Sequence, residues 1–231
     1  MSLNQKLKEI LKKRYKPLIG IIGQSGTGKS TALRNLDPKT TYILDLERKG
    51  FPFPGANKFN IIPIDNPNAF TREFAKVLKE DNCETIVIES FTKYVEQVAT
   101  LANTNFKGFD IWAFIARTIR SMLDSIKNDK ATVICTGIDD IVKIPQVTGG
   151  ETSSRRIKVQ GKVHEGTVEK EFLIVLFTEI CKNEKTEEIE YFFQTNTDGV
   201  TSAKTPMGMF KERLIPNDIA EVLKAVEEYY E

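Results

Sequence analysis

Residues 23–30 read Gly23-Gln24-Ser25-Gly26-Thr27-Gly28-Lys29-Ser30, with Thr31 next. The spacing is GxxxxGK[ST]. Glycines at these intervals let successive backbone N–H groups turn inward, which makes a concave site for phosphate oxygens. Lys29 adds a cation that can reach β- and γ-phosphates, and the Ser30 hydroxyl suits Mg²⁺. The apolar run LIGIIG at 18–23 precedes the loop, and helical periodicity at 29–36 follows it. A helix there would add its positive N-terminal end. The chemistry these residues point to is the binding of ATP with Mg²⁺.

Hydrolysis asks in addition for carboxylates that support the metal and orient water. In TYILDLE (41–47), Asp45 and Glu47 lie two apart on a strand pattern, so they share a face at its carboxyl end, where ligands bind in parallel sheets. In TIVIES (85–90), Glu89 ends a second such run and Ser90 follows.

The elements that must hold these groups are short runs rich in Ile and Val at 18–23, 41–47, 60–65, 85–90 and 131–137. They are nearly continuous rather than alternating, as buried parallel strands are. Stretches 29–36, 67–80, 91–102 and 109–128 carry helical periodicity between them. That alternation predicts a parallel sheet covered on both faces. After residue 138 the stretch 144–162 is polar, basic and glycine-containing and reads as a long loop or loose hairpin. Residues 171–180 and 188–199 read as two strands that close the sheet in antiparallel fashion. A last helix, with Asn217 expected as its cap, sets Ile219, Val222, Leu223, Val226 and Tyr230 on one face.

Composition narrows the classes. The chain has 231 residues, 40% of them hydrophobic, enough for one α/β core. A net charge of +1 excludes a global field toward nucleic acid or membrane, so any basic surface must be local. No apolar stretch reaches membrane-spanning length and no leader is evident, so a cytoplasmic protein without a membrane partner is expected. Cys83, Cys135 and Cys181 are far apart, which excludes a disulfide framework or thiolate zinc site and leaves them as reduced apolar residues. His164 is the only histidine and sits in a polar stretch, where ordinary surface is expected.

In order and spacing, the strand and loop at 18–30, ILDLE at 43–47 and IVIES at 86–90 resemble the ATPase core of RecA-like recombinases. More closely, residues 17–205 resemble the phage-encoded AAA-type, RecA-like nucleotide-binding proteins of the single-strand annealing and recombination group. The resemblance implies a P-loop NTPase fold, a three-layer αβα sandwich. Its RecA-like sheet is mostly parallel, with antiparallel strands added on the C-terminal side. Residues 1–16 would form a basic amphipathic helix ahead of it and 206–231 a helical extension behind it.

By the same resemblance Glu47 polarises the attacking water, while Glu89 supports the metal with Ser30, and Asp45 shares that role. Aspartate is usual where Glu89 stands, so the sequence departs from the pattern by one methylene. Thr136, at the end of ATVICTG, falls at the γ-phosphate sensor. The loop after it falls where recombinases touch single-stranded DNA, and it holds Arg155, Arg156, Lys158 and Lys162. A second candidate, NTNFKGF, interleaves Lys107 with Phe106 and Phe109, the combination that neutralises phosphate and stacks bases. Lys204 would reach a neighbouring subunit's γ-phosphate in a homo-oligomeric ring or filament.

Two other classes stay open. A small-molecule (nucleotide) kinase shares the phosphate loop but needs an arginine-rich lid, for which only Arg155 and Arg156 offer themselves. A nucleotide-dependent switch would bind ATP with little turnover and change partners accordingly.

Overall fold

The computed structural model describes residues 16–145, 149–161 and 166–231. The expected N-terminal helix, Lys162 and His164 therefore lie outside the described residues, apart from Lys16. Ten strands are seen among the described residues: β1 (Leu18–Ile22), β2 (Thr41–Asp45), β3 (Asn60–Pro63), β4 (Thr85–Glu89), β5 (Thr132–Gly137), β6 (Asp139–Pro145), β7 (Glu151–Ile157), β8 (Ile174–Lys182), β9 (Ile189–Gln194) and β10 (Leu214–Pro216). The α-helices are α1 (Pro67–Val77), α2 (Phe91–Asn105), α3 (Phe109–Ser125) and α4 (Ile219–Tyr230).

The main sheet has eight strands in the order β10-β9-β8-β1-β5-β4-β2-β3. Strands β8, β1, β5, β4, β2 and β3 run parallel, while β9 is antiparallel to β8 and to β10. Of the two strands expected to close the sheet in antiparallel fashion, the first is thus parallel, registered on β1 from Ile19↔Ile174 to Ile22↔Phe177. The connection between β5 and β8 is long enough for the crossover that a parallel pair requires.

The continuous apolar runs have two covered faces to fill. Leu18 and Ile22 of β1, Ile86 and Ile88 of β4, and Val133 and Cys135 of β5 pack under α1, α2 and α3. Ile19, Ile21, Val87 and Ile134 point the other way, toward Leu33, Phe53 and the α4 residues Ile219, Val222 and Val226. Alternate residues of one strand therefore serve different layers, which is why the pattern reads as unbroken.

Helix starts follow local chemistry. The Asn66 side chain accepts from Ala69 N at 2.9 Å ahead of Pro67, and Ser90 Oγ accepts from Lys93 N at 3.2 Å to start α2. At α4 the cap is Asp218, accepting from Ala220 N at 3.0 Å, one residue beyond the Asn217 expected. Residues 206–231, read as an extension, supply the edge strand β10 and the helix covering one face.

The helix expected at 29–36 is only a 3-10 turn, Thr31–Asn35. Asp37-Pro38 stops it, since the residue before proline is pushed out of the helical region. The stretch at 144–162 contributes β7 and the end of β6 to a hairpin, β6 pairing with β7 from Asp139↔Ile157 to Pro145↔Glu151.

Candidate functional site

The phosphate loop leaves β1 at the carboxyl end of the sheet and is pinned there. Gly23 N donates to Gly137 O at 3.1 Å. Thr27 Oγ1 donates to Gln24 O at 2.7 Å and lies 2.5 Å from Thr178 Oγ1 of β8. A Cβ on Gly23 would fall 1.8 Å from that Thr178 oxygen, so this position is glycine because β8 passes too close for anything else. Gly28 has φ +92, and a Cβ there would meet both Tyr191 and Asn217 at 3.2 Å.

Inside the loop, Lys29 Nζ donates to Gly23 O at 2.8 Å and to Gln24 O at 2.7 Å. Burial holds this ammonium below its ordinary range, against the pull of Glu89. Ser30 Oγ donates to Glu89 Oε1 at 2.7 Å, so the longer glutamate does reach the loop hydroxyl. Glu89 is only 3% exposed, and its Oε2 is buried without a hydrogen-bond partner among the described residues. Burial pushes its carboxyl up, with the Thr136 and Ser30 hydroxyls opposing.

Glu47 sits beside it on the turn after β2. Its Oε1 accepts from Ser90 Oγ at 2.9 Å and its Oε2 from Lys49 Nζ at 2.7 Å. Burial would raise this carboxyl, but the Lys49 and Ser90 hydrogen bonds and the nearby cations hold it below the usual range. These groups line one cleft of about 1040 Å³, together with Phe51, Pro52, Tyr191, Pro216 and Asn217.

A family model described as an AAA domain matches residues 16–207. The chain belongs to that family. With the phosphate loop at the head of a mostly parallel sheet, the AAA domain has the RecA-like P-loop NTPase fold, an ATP-binding architecture. Among solved structures it is similar to a KaiC-like protein from the hyperthermophilic archaeon Pyrococcus horikoshii, at 16% identity and a TM-score of 0.39, over 77% of this chain and 76% of that one. Comparison with curated proteins gave no match. Among the described residues of the AAA domain, no helix is long and apolar enough to cross a membrane.

The remaining sequence candidates divide. Asp45, expected at the metal, is 7% exposed, and its Oδ1 accepts from Glu47 N at 3.1 Å and Arg48 N at 2.8 Å. It shapes the turn that presents Glu47 and does not line the cleft. Thr136, expected as a sensor, is wholly buried and its hydroxyl donates to Ile88 O at 3.5 Å. It backs Glu89 instead of facing the cleft, because β5 is a central strand covered on both faces.

Arg155, expected at DNA, is turned inward. Its Nε donates to Asp139 Oδ2 at 2.7 Å, its guanidinium reaches Glu179 Oε1 at 2.6 Å, and it lies 5.4 Å from the centroid of Phe177. Asp139 in turn accepts from Gln24 Nε2 of the phosphate loop at 2.7 Å. The local reason is register: Asp139 and Arg155 stand near the root of the β6–β7 hairpin, where the main sheet meets it.

Arg156 is half-buried with its Nε lacking a partner among the described residues, while Lys158 and Lys107 are exposed. Phe106, expected to stack bases, instead packs on Phe114 with centroids 4.8 Å apart, and Phe109 is 93% exposed. Lys204 bridges to Val175, across from Gly20 and off the cleft; burial lowers its ammonium, with Glu169 and Glu171 opposing.

Sequence reading missed Lys49, Tyr191, Pro216 and Asn217. Lys49 carried a local signal, being two residues from Glu47. The other three come from β9, β10 and the start of α4, and only the assembled sheet brings them to Gly28.

Proposed function

We propose that this AAA domain binds ATP together with Mg²⁺ and hydrolyses it, with Glu47 as the group that orients and polarises the attacking water. The observation that carries the reading is the Ser30–Glu89 pair at the foot of the phosphate loop. One Glu89 oxygen takes the Ser30 hydroxyl at 2.7 Å; the other is buried with no partner among the described residues. A dry carboxylate of this kind is costly alone and suited to a cation. Ser30 and Glu89 would hold Mg²⁺, which supplies charge neutralisation at the phosphates. Lys29 is the phosphate cation of the loop, Gly23 to Thr31 the backbone cradle, and Ser90 the group that orients Glu47.

For the partner we propose single-stranded DNA, in recombination or annealing, with the chain acting as a homo-oligomer in which Lys204 serves a neighbouring cleft. The support is the resemblance in motif order, together with exposed Lys107 and Lys158. Arg155 does not contribute, since its charge is spent on Asp139 and Glu179. The same commitment removes the arginine pair that a kinase lid would need.

A second reading, the nucleotide-dependent switch, is favoured by the chain of bonds Gln24–Asp139–Arg155, which joins the phosphate loop to the hairpin.

Steady-state ATP hydrolysis with and without single-stranded DNA tests these readings. Lys29→Ala is expected to remove turnover, and Glu47→Gln to lower it on the order of 10²-fold while ATP still binds. DNA stimulation that falls on neutralising Lys107 and Lys158 supports the DNA role. ATP bound normally without turnover by the wild type sinks the hydrolytic reading and leaves the switch.

A further inference from the structure

Of the three cations that line the cleft, Arg34 is bonded to Asn217 O at 2.7 Å, while Lys29 and Lys49 stand nearer Glu89 and Glu47 and are held differently. Lys29 is bound by loop carbonyls, as a fixed part of the cradle. Lys49 is exposed along its stem, with 57% of its side chain accessible against 22% for Glu47, and its Nζ is committed to Glu47 Oε2 at 2.7 Å. The other Glu47 oxygen is taken by Ser90. The carboxylate that would hold water therefore has a donor on each oxygen, and one of the two donors is a solvent-exposed cation.

A lysine ammonium is a compact point charge on a flexible stem, with rotatable donors, so it can change anionic partners without moving the backbone. Lys49 also sits next to Gly50, at φ +79 with open space around it, on the turn that leads to Phe51 and Pro52. Around the pair stand Glu89 from β4, Asp45 from β2 and Lys29 from the loop. Since the Lys49 ammonium is already bonded to Glu47, an incoming terminal phosphate must compete with Glu47 for it.

We propose that Lys49 is a second phosphate-binding cation of the cleft, which distinguishes a nucleoside triphosphate from a diphosphate by exchanging Glu47 for the terminal phosphate and so frees Glu47 to hold water. The inference rests on the ATP reading above. It assigns Lys49 the charge-neutralising role at the terminal phosphate in cis, and makes Glu47 available only when that phosphate is present.

Calorimetric titration with Mg-ADP and with the non-hydrolysable analogue Mg-AMP-PNP separates the possibilities. In Lys49→Met, AMP-PNP affinity is expected to fall roughly tenfold, the size of one charge-assisted bond, with ADP affinity within about twofold of wild type. Lys49→Arg should restore most of the selectivity. Glu47→Gln removes the competitor, so it should tighten AMP-PNP binding more in the Lys49 background than in Lys49→Met. Equal loss of both nucleotides in a folded Lys49→Met, or no loss of either, overturns the proposal. So does a Glu47→Gln gain that is the same with and without Lys49. A wild type that binds neither nucleotide overturns the ATP reading itself, and is recognised before any variant is compared.

Discussion

Glu89 is an ionisable group whose folded environment opposes its charge. Its folded pKa lies above the ordinary value, so its contribution favours folding at low pH and is lost as pH rises through that raised pKa. Glu89→Gln keeps an acceptor for Ser30 and removes the buried charge. We expect it to raise the melting temperature by about 2–4 °C near neutral pH, on the order of 1 kcal/mol, with the gain shrinking as pH falls. ATP turnover should be lost in the same variant, and thermal melts across pH beside an ATPase assay check both halves. At Gly23 the crowding by Thr178 predicts that Gly23→Ala destabilises by about 1–3 kcal/mol and that adding Thr178→Ala recovers part of the loss in denaturant titrations. At this scale the convergence of the phosphate loop, Glu47 and Glu89 on one cleft could be expected from the sequence, the loop from its fixed spacing and the two carboxylates from the carboxyl ends of their strand runs. Asp45 and Thr136 were misassigned for one reason: strand position shows that a polar side chain is present but not whether the backbone or a covered sheet face has already claimed it.

The elements most at odds with sequence reading are the 3-10 turn after the loop and β8, expected antiparallel and found parallel to β1, while the β6–β7 hairpin was read only as a long loop or loose hairpin. The hairpin lacks the alternation of apolar and polar residues that marks a half-buried strand, since most of β6 and the first three residues of β7 are exposed. What holds it is backbone pairing, Ile157 in the core, and the polar root formed by Asp139, Arg155 and Glu179. Asp139 is 4% exposed, so removing its partner leaves a buried carboxylate. Arg155→Ala is expected to cost about 2–3 kcal/mol, below the value for a fully buried pair because the guanidinium is partly exposed. Hydrogen exchange in Arg155→Ala should rise in β6 and β7 before it rises in β1 or β5. Uniform protection across all four strands would remove the hairpin's dependence on this root.

For the molecule as a whole, the buried strands β1 to β5 were readable along the chain from Ile- and Val-rich runs, though not their order in the sheet, and the two core layers follow from alternate residues along them. The cleft was only half readable, because Tyr191, Pro216 and Asn217 have no motif of their own and reach Gly28 only through the assembled sheet. Ile134→Ala, in a wholly buried central strand, should cost about 2–5 kcal/mol by denaturant unfolding. Burial also pushes the Cys83 and Cys135 thiols up, so a thiol reagent should label half-buried Cys181 first and the other two only on unfolding. The same division of the cleft has a consequence during translation. The phosphate loop and the wall holding Asn217 are made far apart in time, roughly ten to forty seconds at about 5–20 residues per second. Until α4 emerges from the ribosome there is no complete cleft, so a nucleotide cannot lend its full binding energy to the nascent chain. The sheet around β1 must gather on its own hydrophobic cohesion, and full ligand stabilisation can arrive only as a late seal.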